Sequence, residues 1–263
     1  MHVVETGAEI EDARPLLLLH GWSCHGGFFA PQLEAFGHRA RLIVPDLPGH
    51  GRTGATGPAL TIEAAADAVA ALLAGRSLDG VTVVGWSMGA HVAYSMIERH
   101  GTARLSGLVV IDMTPRVLND RQWQLGLSDG LDALRNRGVL KSIEGHWPEI
   151  APRIARRIFA GDLPVDPALA GYTEREIAAA DPALLAPMWA SLTRQDFRGL
   201  LPRIDLPVII AHGSRSMLYG ADVARWQVEQ LPDGQIFEFV RSGHAPHLEE
   251  PDSFNEMLGE ILA

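Results

Sequence analysis

The stretch VTVVGWSMGAHVAYSMIERHG, residues 81–101, decides the fold. It opens as a β-rich apolar run, passes through Gly85-Trp86-Ser87-Met88-Gly89-Ala90, and continues with apolar residues at helical spacing to a stop at Gly101. A bare G-x-S-x-G is short and common. Between a buried strand and a helix it has a physical meaning: the chain turns abruptly, Ser87 is held in a strained conformation with its hydroxyl outward, and only small residues fit beside it. Gly85, Gly89 and Ala90 meet that demand.

Similar apolar runs recur on both sides, each closed by Gly, Pro or Asp: PLLLLHG (15–21), RLIVPD (41–46), LSGLVVID (105–112), LPVIIAHG (206–213) and QIFEFV (235–240). They read as buried strands. HVVETG near the amino terminus offers one edge strand at most, so the sheet could be a strand short. Between the runs lie helical segments such as TIEAAADAVAALLAG, with Thr61 as N-cap and Gly75 as a stop. Strands alternating with helices predict a mainly parallel, doubly wound α/β sheet covered on both faces.

From about Pro115 to Asp205 the alternation breaks. RQWQLGLSDGLDALRNRG, PRIARRIFAG and PALLAPMWASL read as helical pieces, which predicts a helical cap inserted over the sheet. The expected division is a core of residues 1–114 and 205–263 and a cap of residues 115–204. Neither internal repeats nor low-complexity tracts interrupt this plan.

A length of 263 residues with 47% hydrophobic content suits one core with an insertion. The net charge of −10, spread along the chain, argues against nucleic acid or an anionic membrane surface as partner. No apolar run approaches the roughly 18 residues of a membrane span, and MHVVETGAEIEDARP lacks the basic and apolar regions of a signal peptide. A single cysteine, Cys24, fits a reducing compartment, so a cytoplasmic location is expected.

A serine hydroxyl is a weak nucleophile until a base takes its proton, so a late histidine is required. His244 in RSGHAPHLEEP follows the last expected strand, where a loop can present an imidazole over the sheet's edge. Gly243 frees the backbone there. His247 in the same loop is the rival, with a loop hydrogen bond beside Glu249 or Glu250 as its structural role.

Taken together, HGW (20–22), PDLPGHGRT (45–53), GWSMGA (85–90), HG (212–213) and SGHAPHLEEP (242–251) resemble the motifs of the α/β-hydrolase superfamily over nearly the whole chain. The resemblance implies an α/β-hydrolase fold and backbone N–H donors for an oxyanion at Trp22 and Met88, commonly the largest catalytic effect in such enzymes. It also implies structural roles for His20, Asp46, His50 and His212.

Most members of that superfamily carry the triad acid in a G-x-x-D after the penultimate strand; here the position holds Ser216, in AHGSRSMLYG (211–220). A neutral hydroxyl cannot offset an imidazolium. Asp112, ending the preceding strand, resembles the acid of haloalkane dehalogenases and of some small acyl esterases, which place it there. A turn or cap before Thr114-Pro115 is its structural alternative. Asp222 is a rival acid that suits the first turn of a helix beginning near Gly220. The dehalogenase likeness ends at the acid, because those enzymes attack with Asp where this chain has Ser87.

The expected function is hydrolysis of a small-molecule carboxylic ester, lactone or thioester, small to medium and mainly uncharged, through an acyl-enzyme on Ser87, with His244 as base and Asp112 as acid. The alternatives are a ligand receptor of little turnover on the same fold, and a carbon–carbon bond hydrolase or perhydrolase. No cofactor and no metal is expected, since the eleven histidines do not pair with Cys or acids at ligand spacing on a helix. Cys24 and His25 are candidates for the pocket wall; His91, Trp123, Trp147 and Trp189 read first as packed side chains, with at least one tryptophan a candidate for the cleft.

Overall fold

The computed structural model describes residues 1–10, 14–55 and 59–262. Among them seven strands, β1 (Val3–Thr6), β2 (Leu16–Leu19), β3 (Leu42–Pro45), β4 (Val81–Trp86), β5 (Leu105–Ile111), β6 (Val208–Gly213) and β7 (Gly234–Phe239), form one sheet in the order β1-β3-β2-β4-β5-β6-β7. All pairings are parallel except that of β1, which runs antiparallel to β3 as the edge strand of HVVETG. Residues 11–13, 56–58 and 263 of the expected core lie outside the described residues.

The helices are α1 (Ala30–Phe36), α2 (Ile62–Gly75), α3 (Met88–His100), α4 (Ala133–Gly145), α5 (Trp147–Arg157), α6 (Pro167–Ala178), α7 (Pro182–Leu192), α8 (Ala221–Gln230), α9 (Pro246–Glu249) and α10 (Pro251–Leu262). Strand side chains alternate between two apolar clusters. Leu17, Leu19, Val81, Val83, Leu108 and Val110 join residues of α2, α3 and α8 on one face. Leu16, Leu18, Val84, Trp86, Val109 and Ile111 join α1 and α10 on the other. The fully buried run Leu16–Leu19 therefore feeds both cores, each leucine gaining about 2 kcal/mol from leaving water.

Thr61 caps α2 by accepting the Ala64 N–H at 3.1 Å. Gly101, with φ 74°, ends α3 as its spacing predicts. The chain between β5 and β6 carries α4 to α7 and no strand among the described residues. RQWQLGLSDGLDALRNRG is helical only over its last third, however: α4 begins at Ala133, and the residues before it form a loop. Asn119 closes this loop, with Nδ2 donating to Leu127 O at 2.8 Å and Oδ1 accepting Gly126 N–H at 3.0 Å. A Cβ on Gly126 would meet Val117 O at 2.3 Å. Turn chemistry at Asn119, Gly126 and Gly130 overrides the helical spacing, and Asp132 then caps α4 through the N–H groups of Leu134 and Arg135. Among the described residues no helix is long and apolar enough to cross a membrane.

Candidate active site

Ser87 sits where β4 turns into α3, at φ 53° and ψ −118°, a conformation that L-residues rarely adopt. Its N–H continues the sheet by donating to Ile111 O at 3.1 Å. The turn is possible because its neighbours are small: a Cβ on Gly89 would lie 2.1 Å from Leu19 O, and one on Gly85 would lie 2.6 Å from the Ala90 backbone. Trp86 is buried just before the turn, whereas Ser87 is only partly covered and lines a cavity.

Asp112 occupies the equivalent place one strand over, directly after β5, with φ 42°. Its N–H donates to Ala211 O at 2.9 Å, so the β5–β6 register, Ile111 opposite Ala211, brings Asp112 beside His212. Three groups donate to the carboxylate: His244 Nδ1–H to Oδ2 at 2.8 Å, the Ser216 hydroxyl to Oδ2 at 2.6 Å, and His212 Nδ1–H to Oδ1 at 3.1 Å. Burial pushes the acid's pKa up, but the hydrogen bonds and charge of His212 and His244 outweigh it and hold the carboxyl below its usual range. An ionised carboxylate only accepts, so the proton of His244 stays on Nδ1 and Nε2 is left free to accept one.

His244 is held through its backbone. Its N–H donates to Ile158 O at 2.8 Å and its C=O accepts the Trp86 indole N–H at 2.8 Å. Both Ser87 and His244 line a cavity of about 190 Å³. Its wall is mainly apolar: Trp22, Met113, Ile143, Ile154, Trp189 and Leu218 contribute, while Asp129 and Arg157 add a charged pair 3.3 Å apart. Among the described residues Ser87 Oγ makes no hydrogen bond to His244, a contact that in free enzymes commonly tightens only around substrate.

Trp22 follows Gly21, at which a Cβ would stand 3.3 Å from that of Ser87, so the segment after β2 lies against the serine. The Trp22 N–H has no acceptor among the described residues, and Met88, first in α3, has no intrahelical acceptor. The Trp22 indole is fixed by donation to Leu185 O at 3.0 Å and packs edge-on against Trp147 and at a tilt against Trp189.

The rivals fall elsewhere. Asp222 sits in the first turn of α8 and accepts the Val223 N–H at 3.0 Å. His247 makes no loop hydrogen bond: both ring nitrogens are buried and unpartnered among the described residues, and the ring packs on Phe29, Trp86 and Phe254. Burial pushes its pKa down to about 3, so it stays neutral. His91 is fully buried and bonds Thr114 O at 2.7 Å. Of the insertion's tryptophans, Trp189 lines the cavity, while Trp123 packs on Trp226 and Trp147 on Trp22. Cys24 reaches the cavity, but burial drives its thiol far above the ordinary range, which leaves it unreactive. His25 instead caps the short turn at Gly26–Phe29 and meets Glu176 at 3.2 Å.

His20 donates from Nδ1 to Gly21 O and accepts the Leu47 N–H at Nε2, and Asp46 accepts the N–H groups of Gly26 and Arg52, so both fix loops. His212, expected among these loop-fixing residues, binds the acid directly. Its position in His212-Gly213, closing the strand next to that of Asp112, was the available signal.

A family model described as the alpha/beta hydrolase family matches residues 16–257, and the chain belongs to that family. It is 31% identical over 94% of its length to a pimeloyl-[acyl-carrier protein] methyl ester esterase of Chromobacterium violaceum, covering 93% of that protein. It is 28% identical to the protein of the same name from Nitrosomonas europaea, over 97% of this chain and 96% of that one. Among solved structures, the esterase EaEST of Exiguobacterium antarcticum superimposes with a TM-score of 0.90 at 21% identity, covering 99% of this chain and 94% of its own, a likeness of fold.

Proposed function

We propose that the protein is a carboxylic ester hydrolase acting through a Ser87–His244–Asp112 triad. Nε2 of His244 takes the Ser87 proton as Oγ attacks the ester carbonyl. The N–H groups of Trp22 and Met88 receive the developing oxyanion, and Asp112 holds the imidazolium that forms. The tetrahedral intermediate collapses as His244 passes its proton to the departing alcohol; water, activated by the same imidazole, then frees the acid. Residues 115–204 act as a cap whose helices close the apolar side of the cavity.

The observation that carries this reading is the meeting of Ser87 and His244 on one cavity, with His244 Nδ1 2.8 Å from an acid at a strand end. The apolar wall suits an uncharged acyl chain, and the methyl ester named for the Chromobacterium violaceum relative has the small alcohol that such a site would release. Hydrolysis of p-nitrophenyl butyrate with multiple turnovers, and labelling of Ser87 by a fluorophosphonate, are expected. Tight ligand binding without turnover would favour a receptor instead.

A further inference from the structure

Glu249 is the last residue of α9, and its two carboxylate oxygens accept backbone amides of two other segments. Oε2 accepts the Gly243 N–H at 2.7 Å, one residue before His244. Oε1 accepts the Ala160 N–H at 2.7 Å, in the turn that follows α5. The same two segments are joined directly by His244 N–H donating to Ile158 O at 2.8 Å. Gly243 lets them touch: a Cβ there would stand 2.4 Å from the Phe159 carbonyl carbon and 2.5 Å from Ala160 N. Meanwhile Ile150, Ile154 and Arg157 of α5, with Ile158 just beyond it, line the cavity.

We propose that Glu249 is a positioning residue for His244, fastening the loop that carries the imidazole to the turn after α5, so that the helix facing the substrate also sets where the base sits. The inference rests on His244 being the base. Nothing in this role touches substrate; a carboxylate with two acceptor oxygens spans two amides that a carboxamide, with one, cannot both satisfy. Such displacement matters because a shift of about 1 Å in a catalytic group can cost about a hundredfold in rate.

The strap is sensitive to pH in a direction that can be worked out. Burial raises the carboxyl's pKa, the N–H groups of Ala160, Gly243 and Ala245 lower it, the neighbouring charge of Glu250 raises it, and the result is about 7. Arg241 and Asp166 line with it a cavity of about 150 Å³, and His244 follows directly on the Gly243 amide that it holds. Above about 7 the ionised carboxylate accepts both amides; below, the protonated form holds them less well and resembles glutamine.

The test is kcat and KM for p-nitrophenyl butyrate per fluorophosphonate-titrated site, for wild type, Glu249→Gln and Gly243→Ala, from about pH 6 to about pH 8.5, with melting temperatures alongside. At the alkaline end Glu249→Gln is expected to lose about tenfold or more in kcat with KM within about twofold. The wild-type advantage should shrink toward pH 6, as Glu249 takes up its proton. Gly243→Ala, which keeps the carboxylate but cannot seat the loop, should lose kcat in the same way and serves if the first variant does not fold. Unchanged kcat per titrated site in a folded variant, or a ratio independent of pH, overturns the inference. An inert wild type, or His244→Ala at the wild-type rate, would instead overturn the reading of the site.

Discussion

The Ser216 hydroxyl lies 2.6 Å from Asp112 Oδ2, the same oxygen that receives His244 Nδ1–H at 2.8 Å. The residue standing where most superfamily members keep their acid thus donates to the acid one strand away. Ser216 Oγ also accepts the N–H groups of Leu218 and Tyr219, at 3.2 and 3.3 Å, so its orientation is fixed from behind. In the proposed triad this hydroxyl would steady Asp112. Since His212 and His244 remain as donors, Ser216→Ala should reduce kcat/KM by about three- to tenfold, in steady-state assays. A loss as deep as that of Ser87→Ala would contradict this.

The same geometry predicts what a second carboxylate would do. Ser216→Asp places like charges in contact beside a buried acid, so it should be slower than Ser216→Ala and less stable. Combined with Asp112→Asn it should recover part of the activity that Asp112→Asn alone loses, because the carboxylate then stands one strand over, at the position common in the superfamily. No gain over Asp112→Asn in the double variant would show that this end of the sheet cannot hold an acid at β6.

Acyl-chain preference should depend on Trp189, whose indole lines the cavity and donates to Asn136 Oδ1 at 2.8 Å. Each methylene buried is worth about 0.8 kcal/mol. Trp189→Ala is expected to raise the octanoate-to-butyrate ratio of kcat/KM about fivefold or more, measured with p-nitrophenyl esters. An unchanged ratio would mean that the acyl chain lies elsewhere.

Stability should fall on the acid side of neutrality. Burial holds His50 and His91 at about 4 and His247 at about 3, all depressed from 6.5, and pushes His20 well below its ordinary value. A histidine neutral in the folded state and protonated in the unfolded one gives stability that is full above about 6.5 and is lost as pH falls toward the folded pKa, at about 1.4 kcal/mol per pH unit for each. Glu249, raised to about 7, works in the opposite sense between about 4.5 and 7, but it is one group against four. Urea midpoints should therefore drop between about pH 6.5 and pH 4.5; a flat profile would contradict the burial of these rings.

The inner strands were legible because fully buried parallel strands read as continuous apolar runs, Leu16–Leu19 being the plainest, whereas QIFEFV, expected as a buried strand, forms the edge strand β7, in which Phe239 alone is buried. The strained turn at Ser87 and the tightly packed loop before His244 were legible because both leave marks in glycine. Asp112 could be preferred as acid from its strand end, yet its companions could not be read along the chain. His212 and Ser216 lie 100 and 104 residues away in sequence and meet it only through the register of β5 with β6. The loop before α4 misled in the other direction, since apolar spacing there is helical while Asn119 and Gly126 make turns. His247 differs for a similar reason: the aromatic cluster of Phe29, Trp86 and Phe254 that receives it comes from three separate segments.

The placement of the acid at the end of β5 is the claim on which the rest depends. The measurement is steady-state hydrolysis of p-nitrophenyl butyrate by wild type, Ser87→Ala, Asp112→Asn and Asp222→Asn, each shown to be folded by its melting temperature. Asp112→Asn should fall by about 10⁴ in kcat, as expected when the imidazole loses its carboxylate partner, with Ser87→Ala at least as deep and Asp222→Asn near wild type. Turnover by Asp112→Asn within about tenfold of wild type, or a collapse in Asp222→Asn, would contradict it.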